Sequence, residues 1–328
     1  MGIKNLNSYF RQKCSNISIK QKHLSCFRNK IIVIDASIYL YRFKQEDALI
    51  ENMYLLISIL KYYNISPIFI FDGKPPQEKN ELIQLRKAER INAKTRFEYL
   101  QEVILNETNQ ALINEIKTEM ELMKKKMVII KEAHVKNVQN LMDKYGVDYI
   151  NANGEADAVC ALYTLTGKAD YCLSDDTDMF LYNTPKVLRN ISLINHCVLE
   201  YDTEKILQEL DMNIEDFRRV TILAGTDYNS TNFDLSEIMR YYDEYRESNL
   251  QDFYNFLILN KNIDIDLNKL SEIKKMYSLS LCNNVKIINI SDRTVEYSDL
   301  FNLLELNGFL FHNRLENKLP WKTAIKVG

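Results

Sequence analysis

The sequence predicts an α/β fold: a mostly parallel sheet flanked by helices, with a helical insertion at about 76–130 and a helical C-terminal region. Three observations carry this prediction. First, short β-branched or aromatic runs end in acids. They are Ile31-Ile32-Val33-Ile34-Asp35, Ile68-Phe69-Ile70-Phe71-Asp72, Tyr171-Cys172-Leu173 before Ser174-Asp175-Asp176-Thr177-Asp178, and Ile222-Leu223-Ala224-Gly225-Thr226-Asp227. Continuous apolar runs of this kind suit strands buried on both faces of a parallel sheet. Second, residues 76–144 are helical in pattern, with Pro76 at their start and no Gly. Both residue types break helix interiors. Third, α/β alternation returns between residues 148 and 200.

Taken in chain order, residues 30–72 read strand, helix, strand, with the helix over Asp47–Tyr63. In the insertion, Leu112, Ile116, Met120, Met123 and Met127 recur at helical spacing. Such a stripe is a helix–helix packing face. Strands follow near 148–151, 169–174 and 186–199, with a helix from Ala156 to Leu165. Residues 203–328 read as mainly helical, with a β-rich patch near 285–297. No repeat, low-complexity tract or linker interrupts the chain. The expected division is a core over 1–228 and a mainly helical region over 229–328.

The chain has 328 residues, 46% hydrophobic and 27% charged, which suits a globular protein with a large core. No apolar run reaches membrane-span length, and the N-terminus lacks the apolar core of a signal peptide. Met1-Gly2 opens the chain, but Leu6 breaks the myristoylation pattern. Cysteines 14, 26, 160, 172, 197 and 282 have no CxxC spacing and read as reduced thiols. His196-Cys197 reads as strand packing. These features predict an intracellular protein, with nucleus, cytosol and cytoplasmic viral factory all open. The net charge of −3 is not that of a simple nucleic-acid binder. Ions bound at a cluster of acids would cancel part of it.

The acids at the strand ends are the chemical signal. In open α/β sheets the carboxyl ends of the strands line the ligand crevice. Asp35, Asp72, Glu155, Asp157, Asp176, Asp178 and Asp227 are therefore expected to converge. Singly, each would be an ordinary turn residue or helix cap. Glu155 and Asp157 diverge in mid-helix and can aim together only from the turn entering the helix, where Asn153-Gly154 supplies turn chemistry. Two carboxylates about 4 Å apart repel by roughly 4 kcal/mol at an effective dielectric near 20. Clustered acids therefore need cations. Oxygen-only donors point to Mg²⁺, with Mn²⁺ as its substitute. A carboxylate site for two such ions is the usual apparatus of phosphodiester hydrolysis.

Positive charge collects in the insertion. With Lys79 at zero and about 100° per residue, Arg86 falls at about −20°, Arg90 about +20°, Lys94 about +60° and Lys87 about +80°. Glu78, Glu81 and Glu89 are available as helical partners, so a solvated face is the bland alternative. A second basic cluster, Lys124, Lys125, Lys126 and Lys131, lies at the far end.

Several motifs in order resemble the flap endonuclease/XPG family of structure-specific 5′ nucleases. They are Met1-Gly2-Ile3-Lys4-Asn5-Leu6, Ile34-Asp35-Ala36-Ser37 with Tyr41, Phe71-Asp72-Gly73-Lys74-Pro75-Pro76, Gly154-Glu155-Ala156-Asp157-Ala158, Ser174-Asp175-Asp176-Thr177-Asp178 and Gly225-Thr226-Asp227-Tyr228. The opening also resembles flap-endonuclease-like proteins of large DNA viruses. The resemblance covers residues 1–228 well and the remainder loosely. It implies a PIN-like fold, N- and I-type nuclease regions, a helical arch and two Mg²⁺ ions. It places Asp35, Asp72, Glu155 and Asp157 at one metal region and Asp176, Asp178 and Asp227 at the other. It puts Lys79 and Arg86 at the scissile phosphate, and Tyr41 under the terminal base. It puts Gly2 near the substrate backbone; the basic charge of the insertion, rather than the resemblance, offers Arg90, Lys125 and Lys126 for substrate contact. The implied substrate is DNA with single-stranded 5′ ends or flaps, in replication, repair or recombination. An RNA-degrading nuclease on the same scaffold, or a non-catalytic nucleic-acid-binding scaffold protein, stays open.

Three features depart from the family's pattern. Asp72 follows Asp35 by only 37 positions, a shorter stretch than in eukaryotic members. The segment Asn229-Ser230-Thr231-Asn232-Phe233-Asp234-Leu235 lacks the glycines and cations of the family's helix–two-turn–helix. No QxxLxxFF sliding-clamp box is recognisable. Relaxed flap specificity and weak duplex binding are the expectation.

Overall fold

Two apolar strands, β2 (Ile31–Asp35) and β3 (Ser66–Phe71), pair in parallel at the middle of the sheet because both their faces are covered. Ile32, Val33, Ile34, Phe69 and Ile70 are fully buried. In this computed structural model residues 2–229, 231, 233–279, 295 and 297–310 are described. The other strands are β1 (Ile19–His23), β4 (Asp148–Asn151), β5 (Tyr171–Leu173), β6 (Lys186–Ser192) and β7 (Cys197–Asp202). The seven strands lie in the order β1-β7-β6-β5-β2-β3-β4. β4, β3, β2, β5 and β6 are parallel, and β7 and β1 add an antiparallel edge.

Side chains alternate between the two faces, as a strand period of two requires. Ile32, Ile34, Phe69 and Phe71 pack under α2 (Ala36–Gln45), α3 (Leu49–Tyr62), α6 (Glu132–Tyr145) and α13 (Tyr297–Leu306). Val33, Ile68, Ile70 and Cys172 face α1 (Leu6–Lys13), α7 (Ala156–Leu165) and α9 (Ile214–Ala224). That second core runs on into α10 (Leu235–Arg246), α11 (Phe253–Lys261) and α12 (Leu267–Met276). Each large apolar side chain buried this way contributes about 1.5–3 kcal/mol. The core thus extends into the C-terminal region. A short helix, α8 (Thr203–Glu209), follows β7.

The insertion is a helical hairpin, α4 (Asn80–Asn106) and α5 (Gln110–Lys126). Asn109 caps α5 by accepting from the Ala111 amide at 3.0 Å. Only Ala93 and Leu100 of α4 are buried, against the half-buried stripe Ile116, Met120, Met123 and Met127. Leu112, at the start of that stripe, is exposed. Arg96 clamps the pair, donating to Glu119 at 2.7 and 3.1 Å. The foot of α5 meets α2, where Gln45 Nε2 donates to the Lys125 carbonyl at 3.3 Å. The expected packing role holds for Ile116, Met120, Met123 and Met127 and fails for Leu112.

Several elements differ from expectation. The helix expected over Asp47–Tyr63 begins at Leu49, and a separate helix, α2, precedes it. Asp47 has φ 55° and breaks the two apart. The strand expected over 186–199 is two antiparallel strands, turned at a segment where His196 has φ 49°. β1 has an exposed, polar sequence, IKQKH, with no apolar pattern to announce it. The β-rich patch near 285–297 falls almost wholly outside the described residues. Among the described residues no helix is long and apolar enough to cross a membrane.

Candidate metal centre

Strand register brings the acids to one edge. Asp35 lies opposite Ile70, Ile34 opposite Leu173, and Phe71 opposite Asn151. The residues just beyond β2, β3, β4 and β5 are therefore neighbours. Asp35 ends β2 and caps α2, accepting from the Ser37 amide at 3.1 Å and the Ser174 hydroxyl at 3.3 Å. Asp72 follows β3 and accepts from the Ala156 amide at 2.8 Å, so it caps α7 from across the crevice. Glu155 and Asp157 flank that amide, in the turn and first helical turn, as their spacing requires.

Glycine makes this junction. The Gly73 amide donates to the Gly154 carbonyl at 2.7 Å. A Cβ at residue 73 would stand 2.1 Å from the Ala152 carbonyl oxygen, so only glycine lets the two loops touch. Gly2 has φ +78°, and a Cβ there would meet Asp176 Oδ1 at 2.3 Å and Asp178 Oδ1 at 2.7 Å. The Gly2 amide donates to Asp227 Oδ1 at 3.2 Å. Ile3 holds on beside it, its amide donating to Thr177 Oγ1 at 2.7 Å.

Asp176 caps the 3-10 turn Thr177–Phe180, accepting from the Asp178 amide at 3.0 Å. Asp227 sits in the turn after α9, closed by reciprocal 3.2 Å bonds between Thr226 and Asn229. Capping and clustering thus coincide: Asp35, Asp72 and Asp176 each spend an oxygen on a helix or turn start and still face the other acids.

Their electrostatics show the crowding. Burial, then Asp72 and Asp176, push the Asp35 carboxyl up to about 8. Burial, then Asp176 and Asp35, hold Asp157 well above the carboxylate range. Burial, then Asp176 and Asp227, do the same to Asp178, and burial raises Asp176. Asp157 Oδ1 and Asp178 Oδ1 are buried without a partner among the described residues.

Two cations of the arch answer this charge. Lys79 bridges to Glu155 Oε1, lies 3.8 Å from Asp227 Oδ2 and sits 5.1 Å above the Tyr228 ring. Burial pulls its ammonium down, but Glu155, Asp157 and Asp227 outweigh that and raise it. Arg86 donates to Asp227 Oδ2 at 3.1 Å. Lys79 belongs to the 3-10 turn Gln77–Lys79 before α4 rather than to the helix itself, yet both cations reach the acids.

The donor set is all oxygen, and its buried, unpartnered oxygens fit a hard divalent cation. Among the described residues no three Asp, Glu, His or Cys form a group spaced to hold one ion by themselves. An ion held there would keep several waters.

The other expected residues lie further out. Tyr41 is 39% exposed on α2, one turn beyond Ser37. Arg90 is one turn beyond Arg86 on α4. Lys125 and Lys126 end α5 at the foot of the arch, and no ion pair among the described residues joins them to the acids. Two tyrosines with no role assigned from sequence touch the cluster. Tyr228 donates to Glu155 Oε2, and Tyr277 donates to Asp178 Oδ2 at 2.8 Å. Tyr228 adjoins an acid in sequence, whereas nothing local marks Tyr277.

Two family models match this chain: the XPG N-terminal domain over residues 1–93 and the XPG I-region over 146–227, together more than half of it. The chain belongs to the flap endonuclease/XPG family. Flap endonuclease 1 of Saccharomyces cerevisiae is 30% identical over 250 residues, 70% of this chain and 61% of that protein. Flap endonuclease 1 of Mus musculus is 27% identical over 227 residues, 64% of this chain and 57% of that protein. The match thus spans less than two thirds of either relative's length.

Solved structures agree on the fold of this family member. The catalytic core of Rad2 in complex with DNA substrate superposes with a TM-score of 0.66 at 21% identity, covering 93% of this chain and 95% of that one. Flap endonuclease-1 from Methanococcus jannaschii gives 0.54 at 19% identity, covering 88% and 98%. The PIN-like architecture expected from the motifs is therefore the architecture found. The stretch between the two family matches, 94–145, contains most of the arch.

Proposed function

We propose that this protein is a Mg²⁺-dependent 5′ nuclease that hydrolyses phosphodiesters in DNA carrying free single-stranded 5′ ends or flaps, in replication, repair or recombination. One observation carries the reading: Lys79 and Arg86, from the arch, both reach into the acid cluster. Cations poised over carboxylates are what a phosphate between the two would need.

Bound Mg²⁺, or Mn²⁺ in its place, would supply an activated water and charge stabilisation for the leaving oxygen. Asp35, Asp72, Glu155 and Asp157 would hold one ion region, and Asp176, Asp178 and Asp227 the other, partly through water. Lys79 and Arg86 would exchange their carboxylate partners for the scissile phosphate and neutralise charge as it builds. Tyr41 would stack the terminal base, worth roughly 1–3 kcal/mol. α4, about 40 Å long at about 1.5 Å per residue, would frame a passage for one strand, with Arg90, Lys125 and Lys126 along it.

The test is a panel of end-labelled flap, nicked, gapped and single-stranded DNA, with RNA counterparts, in Mg²⁺, Mn²⁺ and EDTA. Metal-dependent cleavage of 5′-flap and single-stranded DNA supports the reading. Cleavage confined to RNA moves the substrate to the alternative class, and no cleavage in either metal overturns the enzyme.

A further inference from the structure

The acid cluster has a contributor outside both matched family segments. Tyr277 closes α12, 50 positions after Asp227. It is 2% exposed, and its hydroxyl donates to Asp178 Oδ2 at 2.8 Å. Its ring stands edge-on to Tyr228 at 5.4 Å and to Tyr182 at 5.3 Å. Tyr228 in turn donates to Glu155 and carries Lys79 on its face. A buried aromatic bridge therefore joins Asp178 to Glu155, two acids that come from separate loops.

We propose that Tyr277 is a positioning residue for metal binding, and that the C-terminal helices thereby complete the metal centre. The inference rests on the metal-dependent reading above. A carboxylate rotor is broad and roughly two-fold, so a free Asp presents its oxygens in many directions. Here one oxygen of Asp178 is pinned by Tyr277, and the other, Oδ1, is left buried and unpartnered. Pinning Oδ2 aims Oδ1. The hydroxyl is itself fixed from behind: Tyr277 ends a helix whose Leu270 and Ile273 are buried in the same core as α9. Partners that orient a metal ligand commonly hold about 10–100-fold in metal affinity.

The experiment is Mn²⁺ binding to the full chain without DNA, read by the free-ion EPR signal. Tyr277→Phe keeps the ring and removes the hydroxyl. Its Mn²⁺ affinity is expected to fall about 10–100-fold. In an Asp178→Ala background, which removes the acceptor, the same change should cost little more, because the hydroxyl acts through Asp178. General loosening of the fold would lower affinity in both backgrounds. A 3-fluorotyrosine at position 277 keeps ring and hydroxyl, and its ¹⁹F resonance should move as Mg²⁺ saturates. Wild-type affinity in Tyr277→Phe, equal losses in both backgrounds, or a ¹⁹F signal indifferent to Mg²⁺ would overturn the proposal. A wild-type protein that binds no Mn²⁺ would overturn the metal reading itself.

Discussion

The Arg86 guanidinium donates to Asp227 Oδ2 at 3.1 Å, joining the arch to the last acid of the cluster. With Lys79 on Glu155, it brings two cations to the acid cluster, where the proposed reaction puts the phosphate. Lys79→Ala and Arg86→Ala should each lower the single-turnover rate by about 10²-fold, and affinity far less, because their proposed role is on transition-state charge. Rapid-quench cleavage beside DNA titration separates the two. Weaker binding at an unchanged rate would make them general phosphate contacts.

The raised carboxyls set a pH dependence for the metal-free protein. Asp35 stands at about 8 against an ordinary 3.8, with Asp157 and Asp178 also well above the ordinary value. Between those values the folded state keeps protons that the unfolded chain releases. Stability is therefore greatest below about pH 4 for this contribution and is lost as pH rises towards 8. Calorimetry should show the metal-free melting temperature falling by several degrees from pH 5 to pH 8, and millimolar Mg²⁺ restoring it. A midpoint indifferent to both would contradict the crowding.

Gly73 is the hinge of the acid junction. Gly73→Ala drives a Cβ against the Ala152 carbonyl, which is backbone and cannot rotate away. The expected loss is roughly 1–3 kcal/mol in denaturant unfolding, as for other overpacked sites. Wild-type stability would show that the loops after β3 and β4 sit further apart than described.

Among the described residues, cations of α9 to α12 are largely matched by acids. Arg218 and Lys274 both pair with Glu215, Arg219 with Asp216, Arg246 with Asp211 and Lys261 with Glu244. Among the described residues of α9 to α12, these pairs engage most of the cations. The slope of log affinity against log salt for a plain duplex should be shallower than about −3, since each neutralised phosphate adds about 0.9. Anisotropy titrations across a KCl series measure it. A slope steeper than about −6 would mean those ion pairs open onto DNA.

Much of this was readable in the sequence because the deciding patterns are local. Ile31–Asp35 and Ser66–Phe71 are continuous apolar runs, and Phe71-Asp72-Gly73 carries both the acid and the glycine that its junction needs. What escaped has no local mark. β1 is stabilised by pairing with β7 rather than by an apolar pattern of its own. The 186–202 hairpin turns on a left-handed His196 inside an otherwise strand-like stretch. Tyr277 meets Asp178 across 99 positions, a contact that only tertiary packing creates. α2 escaped because it follows β2 directly, Asp35 ending the strand and capping the helix, so no turn residue separates the two.

These carboxylates are proposed to serve hydrolysis through bound metal. Single-turnover cleavage of a 5′-flap DNA by Asp72→Ala and Asp176→Ala, at saturating Mg²⁺, tests it most directly. No product is expected from either variant, with DNA affinity within several-fold of wild type, because each loses metal charge and no backbone contact. Near wild-type turnover in either variant would contradict it.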